Sequence, residues 1–412
     1  MPKKASISLN NKTILVTGSP GFIGANLVLR LLQTISAGTV ISFDNLSDYY
    51  DPALKEYRLR QIEEAASVAP SSLHHVFVRG SIADKNLVEH TFTTYHPDIV
   101  VNLAAQTGVR YSIDHPDAYI ESNIIGFYNI LEACRQSYTL SASDDSGDKV
   151  SDSDKSCRGG NSNGGNSHGV NSDGGLAYSG VQHLIFASSS SVYGNNAKIP
   201  FNTEDKVDEP VSLYAATKKS DELLAHAYAK LYNIPATGLR FFTVYGPAGR
   251  PDMFYYSATE KLLQGESIKI FNYGNCQRDF TYIDDIVEGI VRVMQGAPSK
   301  KIGADGLPVP PYALYNIGNG APVGLLDFIQ VLQEELVRSG LLPSDYDFAA
   351  HQDLVAMQPG DVAVTYADTT ALEQDYGYKP GTDIRTGLRA FCEWYRDFIR
   401  KPENGSAGED DG

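Results

Sequence analysis

From Lys12 onward, short apolar runs alternate with longer segments of helical period. TILVT (13–17), TVISF (39–43), HHVFV (74–78), DIVVNLAA (98–105) and HLIFAS (183–188) are rich in β-branched and aromatic residues and lack regular polar alternation. That pattern predicts strands buried on both faces. Between them, FIGANLVLRLLQ (22–33) brings Ile23, Leu27 and Leu31 beside Val28 and Leu32 on one helical face. Helical period also runs through AYIESNIIGFYNILEACRQ (118–136) and SLYAATKKSDELLAHAYAKLY (212–232). Buried strands separated by helices predict an α/β fold with a parallel, doubly wound sheet.

Past Phe241 the rhythm changes. Pro and Gly become frequent, and helical stretches such as LLDFIQVLQEELVRSG (325–340) fall between short strands. We therefore expect two domains: a sheet domain over 12–243, against which 275–300 also packs, and a smaller α+β domain over 244–400. Residues 141–175 are dominated by Ser, Gly, Asn and Asp. Such a segment buries too little surface to offset its ordering entropy and is expected to be a disordered insertion. The acidic 401–412 segment is expected to be a frayed tail.

Composition narrows the function classes. The 412 residues carry 34 Lys plus Arg against 50 Asp plus Glu, a formal charge of −16. Nucleic-acid and anionic-membrane binders usually present basic surface, so neither partner is expected. The four cysteines (Cys134, Cys157, Cys276, Cys392) show no CxxC or zinc spacing, so no metal site is expected and free thiols in a reducing compartment are. The N-terminal MPKKASISLNNK has no apolar signal region, and no window reaches the ~20 apolar residues of a membrane span. These features lead us to expect a cytoplasmic protein.

Three stretches carry candidate chemistry. TILVTGSPGFIGANL places Gly18, Gly21 and Gly24 after the first strand and at the opening of a helix. There a glycine allows the tight turn, a second lets the backbone approach a pyrophosphate, and a third permits close helix–strand packing, as in a Rossmann-type dinucleotide site. Asp44 ends the second strand and would accept from the adenosine ribose hydroxyls; no arginine adjoins it, which favours NAD over NADP. Tyr214 and Lys218 stand at i and i+4 of one helix and so share a face. An ammonium beside a phenol favours the phenolate, which can remove a hydroxyl proton while a hydride leaves. FASSSSVYG (186–194) ends a strand, placing several hydroxyls at the edge where such sheets bind ligands.

Taken together, the glycine loop, NLAAQ (102–106), the serine run, Tyr214/Lys218 and RDFTYIDD (278–285) resemble extended short-chain dehydrogenases/reductases acting on nucleotide sugars. DNLSDYYDPALKEYRL (44–59), AAQTGVRYS (104–112), PVSLYAATKK (210–219), LRFFTVYGPAGRPDM (239–253), FNYG (271–274) and MQPGDV (357–362) resemble the UDP-glucuronate 4-epimerases within that family. The likeness spans roughly 12–140 and 182–398. It implies Tyr214 as base and acid, Lys218 as its electrostatic partner and holder of the nicotinamide ribose, and Ser189 at the reacting C4 oxygen. It also implies NAD contacts by Gly18, Gly21, Phe22, Ile23, Gly24, Asp44, Asn45, Ser81, Ile82, Leu103, Ala104, Ala105, Asn123 and Ser188. For a UDP-sugar it implies Gln106, Arg110, Ser189, Ser190, Ser191, Thr243, Arg250, Arg278 and Asp361.

The implied reaction is oxidation at C4, rotation of a 4-keto sugar, and reduction from the other face, with a homodimer formed through helices 118–136 and 213–232. Related decarboxylases carry an acidic residue beside the active-site Ser/Thr, and dehydratases an Asp-Glu pair. This chain has Ser190-Ser191 there, which favours 4-epimerisation over both. UDP-glucose/galactose 4-epimerase and UDP-glucuronate decarboxylase remain the alternative activities. Three residues depart from the family pattern: Ser81 stands where an Asp is usual near adenine, Ala248 where a Trp is usual, and Pro20 removes an N–H from the phosphate loop.

Overall fold

Seven parallel strands form the central sheet: β1 (Lys12–Thr17), β2 (Gly38–Asp44), β3 (Leu73–Arg79), β4 (Ile99–Asn102), β5 (His183–Ser189), β6 (Ala236–Phe241) and β7 (Tyr312–Ile317). The computed structural model describes residues 5–143, 179–303, 305–357 and 361–400. The 141–175 insertion apart from its first three residues, Cys157, residues 358–360 and the 401–412 tail lie outside that set.

The sheet runs in the order β7-β6-β5-β4-β1-β2-β3, so the direction of winding reverses between β1 and β4. Successive side chains of a strand face opposite ways. Ile14 and Val16 of β1 therefore join one apolar core and Leu15 the other. The first core is covered by α1 (Phe22–Thr34), through Leu27, Val28, Leu31 and Leu32, together with Ile283–Met294. The second is covered by Val88 and Phe92 of Lys85–Tyr95 and by Phe127, Ile130 and Leu131. Cover on both faces explains why the inner strands read as apolar runs; β3, expected to be buried on both faces, is an edge strand whose residues 74–78 stay partly exposed.

The helix expected over 118–136 is not one regular helix. Pro116–Tyr119 leads into a π-helical stretch, Ile120–Gly126, and then an α-helix, Phe127–Ser143. Wider π turns occur mostly as bulges at functional sites. Here the bulge holds Asn123, 1% exposed.

The smaller part surrounds an aromatic cluster of Tyr245, Tyr255, Tyr256, Phe280, Phe328 and Phe391, with Phe280 and Phe328 stacked at 4.0 Å. Helices Phe254–Leu263, Leu325–Arg338 and Ile384–Arg400 enclose it, and Ile268–Phe271 pairs in parallel with Gln352–Val355. The chain crosses between the two parts more than once. Ile283–Met294 lies in the sheet core and β7 is the sheet's edge strand, so residues numbered within 244–400 also build the sheet.

One buried arginine ties the two parts together. Arg58, on helix Pro52–Ser67, is 2% exposed and donates to the carbonyls of Pro20 (3.2 Å), Ala248 (2.7 and 2.9 Å) and Gly249 (2.8 Å). It also donates to the Tyr50 hydroxyl at 2.7 Å. The loop at Ala248 is thus gripped by its backbone, whatever side chain stands there. Replacing Arg58 by Met should leave those carbonyls without their donor and lower unfolding stability by about 3 kcal/mol, read by urea denaturation. A loss below ~1 kcal/mol would contradict this account.

Candidate active site

Where the winding reverses, the carboxyl ends of the strands open onto a cavity of about 1080 Å³, walled on its other side by the smaller part. Single-ligand pockets run to ~1000 Å³, so this one is large. Every residue named above for cofactor or sugar lines it except Asn123.

At the nucleotide end, Gly18 has φ +71°. A Cβ there would stand 2.7 Å from the Ala104 nitrogen, and one on Gly24 would stand 2.2 Å from the Gly18 carbonyl oxygen. Only glycine permits both approaches. Helix α1 begins at Gly21 with no side-chain cap and no acidic residue in its first turn, so its leading N–H groups face the loop uncompensated. The buried Ser19 hydroxyl has no partner among the described residues. A glycine cradle at an uncapped helix start fits a dinucleotide pyrophosphate.

Asp44, 8% exposed, accepts from the Leu46 N–H at 2.7 Å. Burial raises its carboxyl above the ordinary range, although Lys55 opposes the effect from 3.7 Å. Lys55 also donates to the Ser47 hydroxyl at 2.9 Å and lines the cavity. No arginine is needed to place a cation beside Asp44; a lysine eleven residues on supplies it.

Deeper in, Tyr214 and Lys218 come from helix Leu213–Tyr232, capped by the Ser212 side chain on the Ala215 N–H. The Lys218 ammonium donates to the Ala187 carbonyl at 2.9 Å and to Asp221 at 3.2 Å. The Tyr214 ring meets Tyr119 edge-on with centroids 6.0 Å apart. Tyr119 is fixed in turn by its hydroxyl, which donates to the Thr107 and Gly108 carbonyls. At the end of β5, Ser189 donates to the Ser191 hydroxyl and accepts from its N–H, both at 3.1 Å. The Ser188 hydroxyl is already given to Glu222 at 2.7 Å.

At the far end the arginines are paired with carboxylates. Arg250 makes a two-point contact with Asp252 (2.9 and 2.6 Å), and Tyr49 donates to the same carboxylate at 3.2 Å. Burial alone would raise Asp252, but Arg250 and Tyr49 outweigh it and hold the carboxyl low. Arg278 meets Asp361 at 2.8 Å, and Arg110 lies over the Phe271 ring at 5.0 Å. Sequence reasoning missed Tyr119, Lys55, Tyr49, Asp252 and Asp221. For Asp221 a signal existed, since it stands at i+3 from Lys218.

Comparisons with known proteins agree with this geometry. The model of the NAD dependent epimerase/dehydratase family matches residues 14–318. Protein CapI of Staphylococcus aureus is 40% identical over 394 residues, 94% of this chain and 99% of its own length. UDP-glucuronate 4-epimerase 4 of Arabidopsis thaliana is 38% identical over 404 residues, 97% of this chain and 78% of its own. Among solved structures, UDP-glucuronic acid 4-epimerase from Bacillus cereus, in complex with UDP-glucuronic acid and NAD, matches with TM-score 0.70 and 27% identity. That match covers 94% of this chain and 99% of the other.

Asn123, expected at the cofactor, does not line the cavity itself; its side chain is spent on the wall beside it. Its carbonyl oxygen accepts from the Gln106 N–H (2.8 Å), and its amide donates to the Gln106 carbonyl (3.1 Å) and the Thr217 hydroxyl (3.0 Å). It therefore fixes the cavity wall at Gln106 against the helix carrying Tyr214. Asn123→Leu should strand both backbone groups of Gln106, lower stability by about 2 kcal/mol and weaken dinucleotide binding roughly tenfold. Calorimetry with the dinucleotide tests this; unchanged affinity would contradict it.

Proposed function

The chain belongs to the NAD dependent epimerase/dehydratase family, and from that premise we propose that it interconverts UDP-glucuronate and UDP-galacturonate through transient oxidation at C4. The observation that carries the choice of reaction is the neutral wall beside Tyr214, where Ser189, Ser190 and Ser191 line the cavity in succession and no carboxyl stands among them. NAD, when bound at the glycine loop, supplies the acceptor and donor of the C4 hydrogen.

The protein's own part is proton transfer and orientation. The Tyr214 phenol oxygen takes the proton from O4 as the ketone forms and gives it back after the sugar has turned. Lys218, fixed by the Ala187 carbonyl, keeps positive charge beside that phenol. Ser189 bonds the C4 oxygen in both hydroxyl and ketone states. Once C4 is a ketone, the sugar is a β-keto acid, which loses carbon dioxide easily. Ser190, Ser191 and Thr243 hold its carboxylate in a harmless orientation, and no acid–base group is offered to C5. Arg250 and Arg278 take the diphosphate or the carboxylate, and Asp361 the uridine ribose; their ion pairs already sit on that side of the cavity.

The same reading includes a cytoplasmic homodimer. Ile120, Ile125, Tyr128, Leu223, Leu231 and Tyr232 are all more than 40% exposed and lie on the two adjoining helical segments 116–143 and 213–232. An apolar patch on adjoining helices suits a two-fold helix pairing. Cys134, Cys276 and Cys392 are buried free thiols, as a reducing compartment allows. Among the described residues no helix is long and apolar enough to cross a membrane.

NMR of the purified protein with UDP-glucuronate should show UDP-galacturonate without carbon dioxide release. Formation of UDP-xylose, or turnover confined to UDP-glucose, would replace this reading with one of the two alternatives. Tyr214→Phe should lower kcat by about 10³ with little change in NAD binding. Sedimentation should show a dimer that Leu223→Glu converts to monomer; a wild-type monomer would refute the pairing.

A further inference from the structure

Two carboxyl groups stand side by side on the catalytic helix, Asp221 and Glu222, each 2% exposed, and their surroundings differ sharply. Glu222 accepts from Arg240 at two points (2.7 and 2.9 Å), from the Ser188 hydroxyl (2.7 Å) and from Lys219 (3.3 Å). Among the described residues Asp221 has a single hydrogen-bonding partner, the Lys218 ammonium at 3.2 Å on Oδ2, and none of them meets its buried Oδ1. Lys218 spends its other described hydrogen bond on the Ala187 carbonyl and still borders the cavity.

We infer that Asp221 is a positioning residue for Lys218: as a carboxylate it anchors and neutralises the ammonium, and on taking up a proton it leaves the full lysine charge to the cleft. The inference deepens the epimerase reading and rests on it for the role of Lys218. Burial pushes the Asp221 carboxyl up to about 7, with Lys218 pulling it down and Glu222 raising it. Glu222, despite its burial, is held below its ordinary value by Arg240, Ser188 and Lys219. Adjacent acids driven apart in this way have different tasks.

The groups facing this point from neighbouring elements address Glu222 rather than Asp221. Arg240 of β6 pairs with Glu222, and Tyr312 of β7 donates to the Glu222 backbone carbonyl at 3.0 Å. Tyr193 lies beneath the Arg240 guanidinium, and His226 packs edge-on to Tyr312. Tyr119 contacts Tyr214, and Glu132 takes the Tyr228 hydroxyl further along the helix. Asp221 therefore answers chiefly to Lys218 and Glu222.

The test is Asp221→Asn, which keeps an oxygen for Lys218 and removes the titration. A carboxyl whose folded value is raised keeps its proton when the unfolded chain has already lost it, so its contribution to stability falls as pH rises from about 4 to about 7 and is level above. Between pH 5.5 and 8, the wild-type melting temperature should fall by about 3 °C relative to the Asn variant. The kcat profile of the wild type should show an ionisation near neutrality that the variant lacks. Superimposable melting profiles would overturn the titration, and superimposable kcat profiles would overturn its coupling to Lys218. If Asn disrupts folding, Lys218→Met provides the second variant: the stability step should move to higher pH, and an unmoved step overturns the proposal. Absence of any epimerisation with the stability step intact would fault the functional reading and leave the Asp221–Lys218 linkage standing.

Discussion

Burying positive charge at the end of a sheet strand is the constraint from which the rest of this molecule follows. Lys218 is 3% exposed, so its ammonium must find acceptors inside the protein. One of them, the Ala187 carbonyl, belongs to β5, and this bond ties the Leu213–Tyr232 helix to the end of that strand. One turn further on, Ser188, Glu222 and Arg240 repeat the device between helix, β5 and β6. Breaking a buried ion pair costs about 3–5 kcal/mol, so helix and strand ends cannot slide past one another cheaply. Tyr214 and the Ser189–Ser191 wall, which belong to those two elements, consequently share one cavity.

Elsewhere around the cavity, buried side chains hold the loops by bonding to their backbone. Arg58 reaches Pro20 in the glycine loop and Ala248 and Gly249 in the loop before Arg250, so both ends of the cavity are tied to the same guanidinium. Asn123 does similar work for Gln106 from within the π bulge. In both places a buried polar side chain satisfies irregular backbone that no strand or helix can pair, which is how loops keep a fixed shape at a binding site.

What could be read from the residues followed from how local each signal is. Four of the first five strands were visible because burial on both faces leaves apolar runs, the edge strand β3 through its β-branched and aromatic residues, and the glycine loop because tight approach admits one residue type. Tyr214 and Lys218 could be paired because i, i+4 spacing is itself a contact. The π bulge at 120–126 was hidden, since a single widened turn barely disturbs the apolar period. Strand β7 was hidden for a different reason: Tyr312–Ile317 acquires its place from pairing with Ala236–Phe241, over seventy residues away, and its neighbours are prolines and glycines. Arg58 and Lys55 sit in DNLSDYYDPALKEYRL as ordinary helix cations. Only the three-dimensional approach of Pro20, Ala248 and Asp44 gives them work.

Overall charge and local charge also point in opposite directions. A chain at −16 should repel an anionic nucleotide-sugar of the kind proposed as its substrate. Yet seven Lys and Arg side chains line the cavity, against four aspartates. At physiological salt, fields decay over about 8 Å, so a ligand within the cleft responds to its lining and hardly to the distant surface. Several of the cations are tied to those aspartates in the structure, Arg250 to Asp252 and Arg278 to Asp361. On the proposed reading, an anionic ligand would exchange one partner of an arginine for another, which would keep each guanidinium bonded and make the geometry of the incoming group, more than its charge alone, the thing selected.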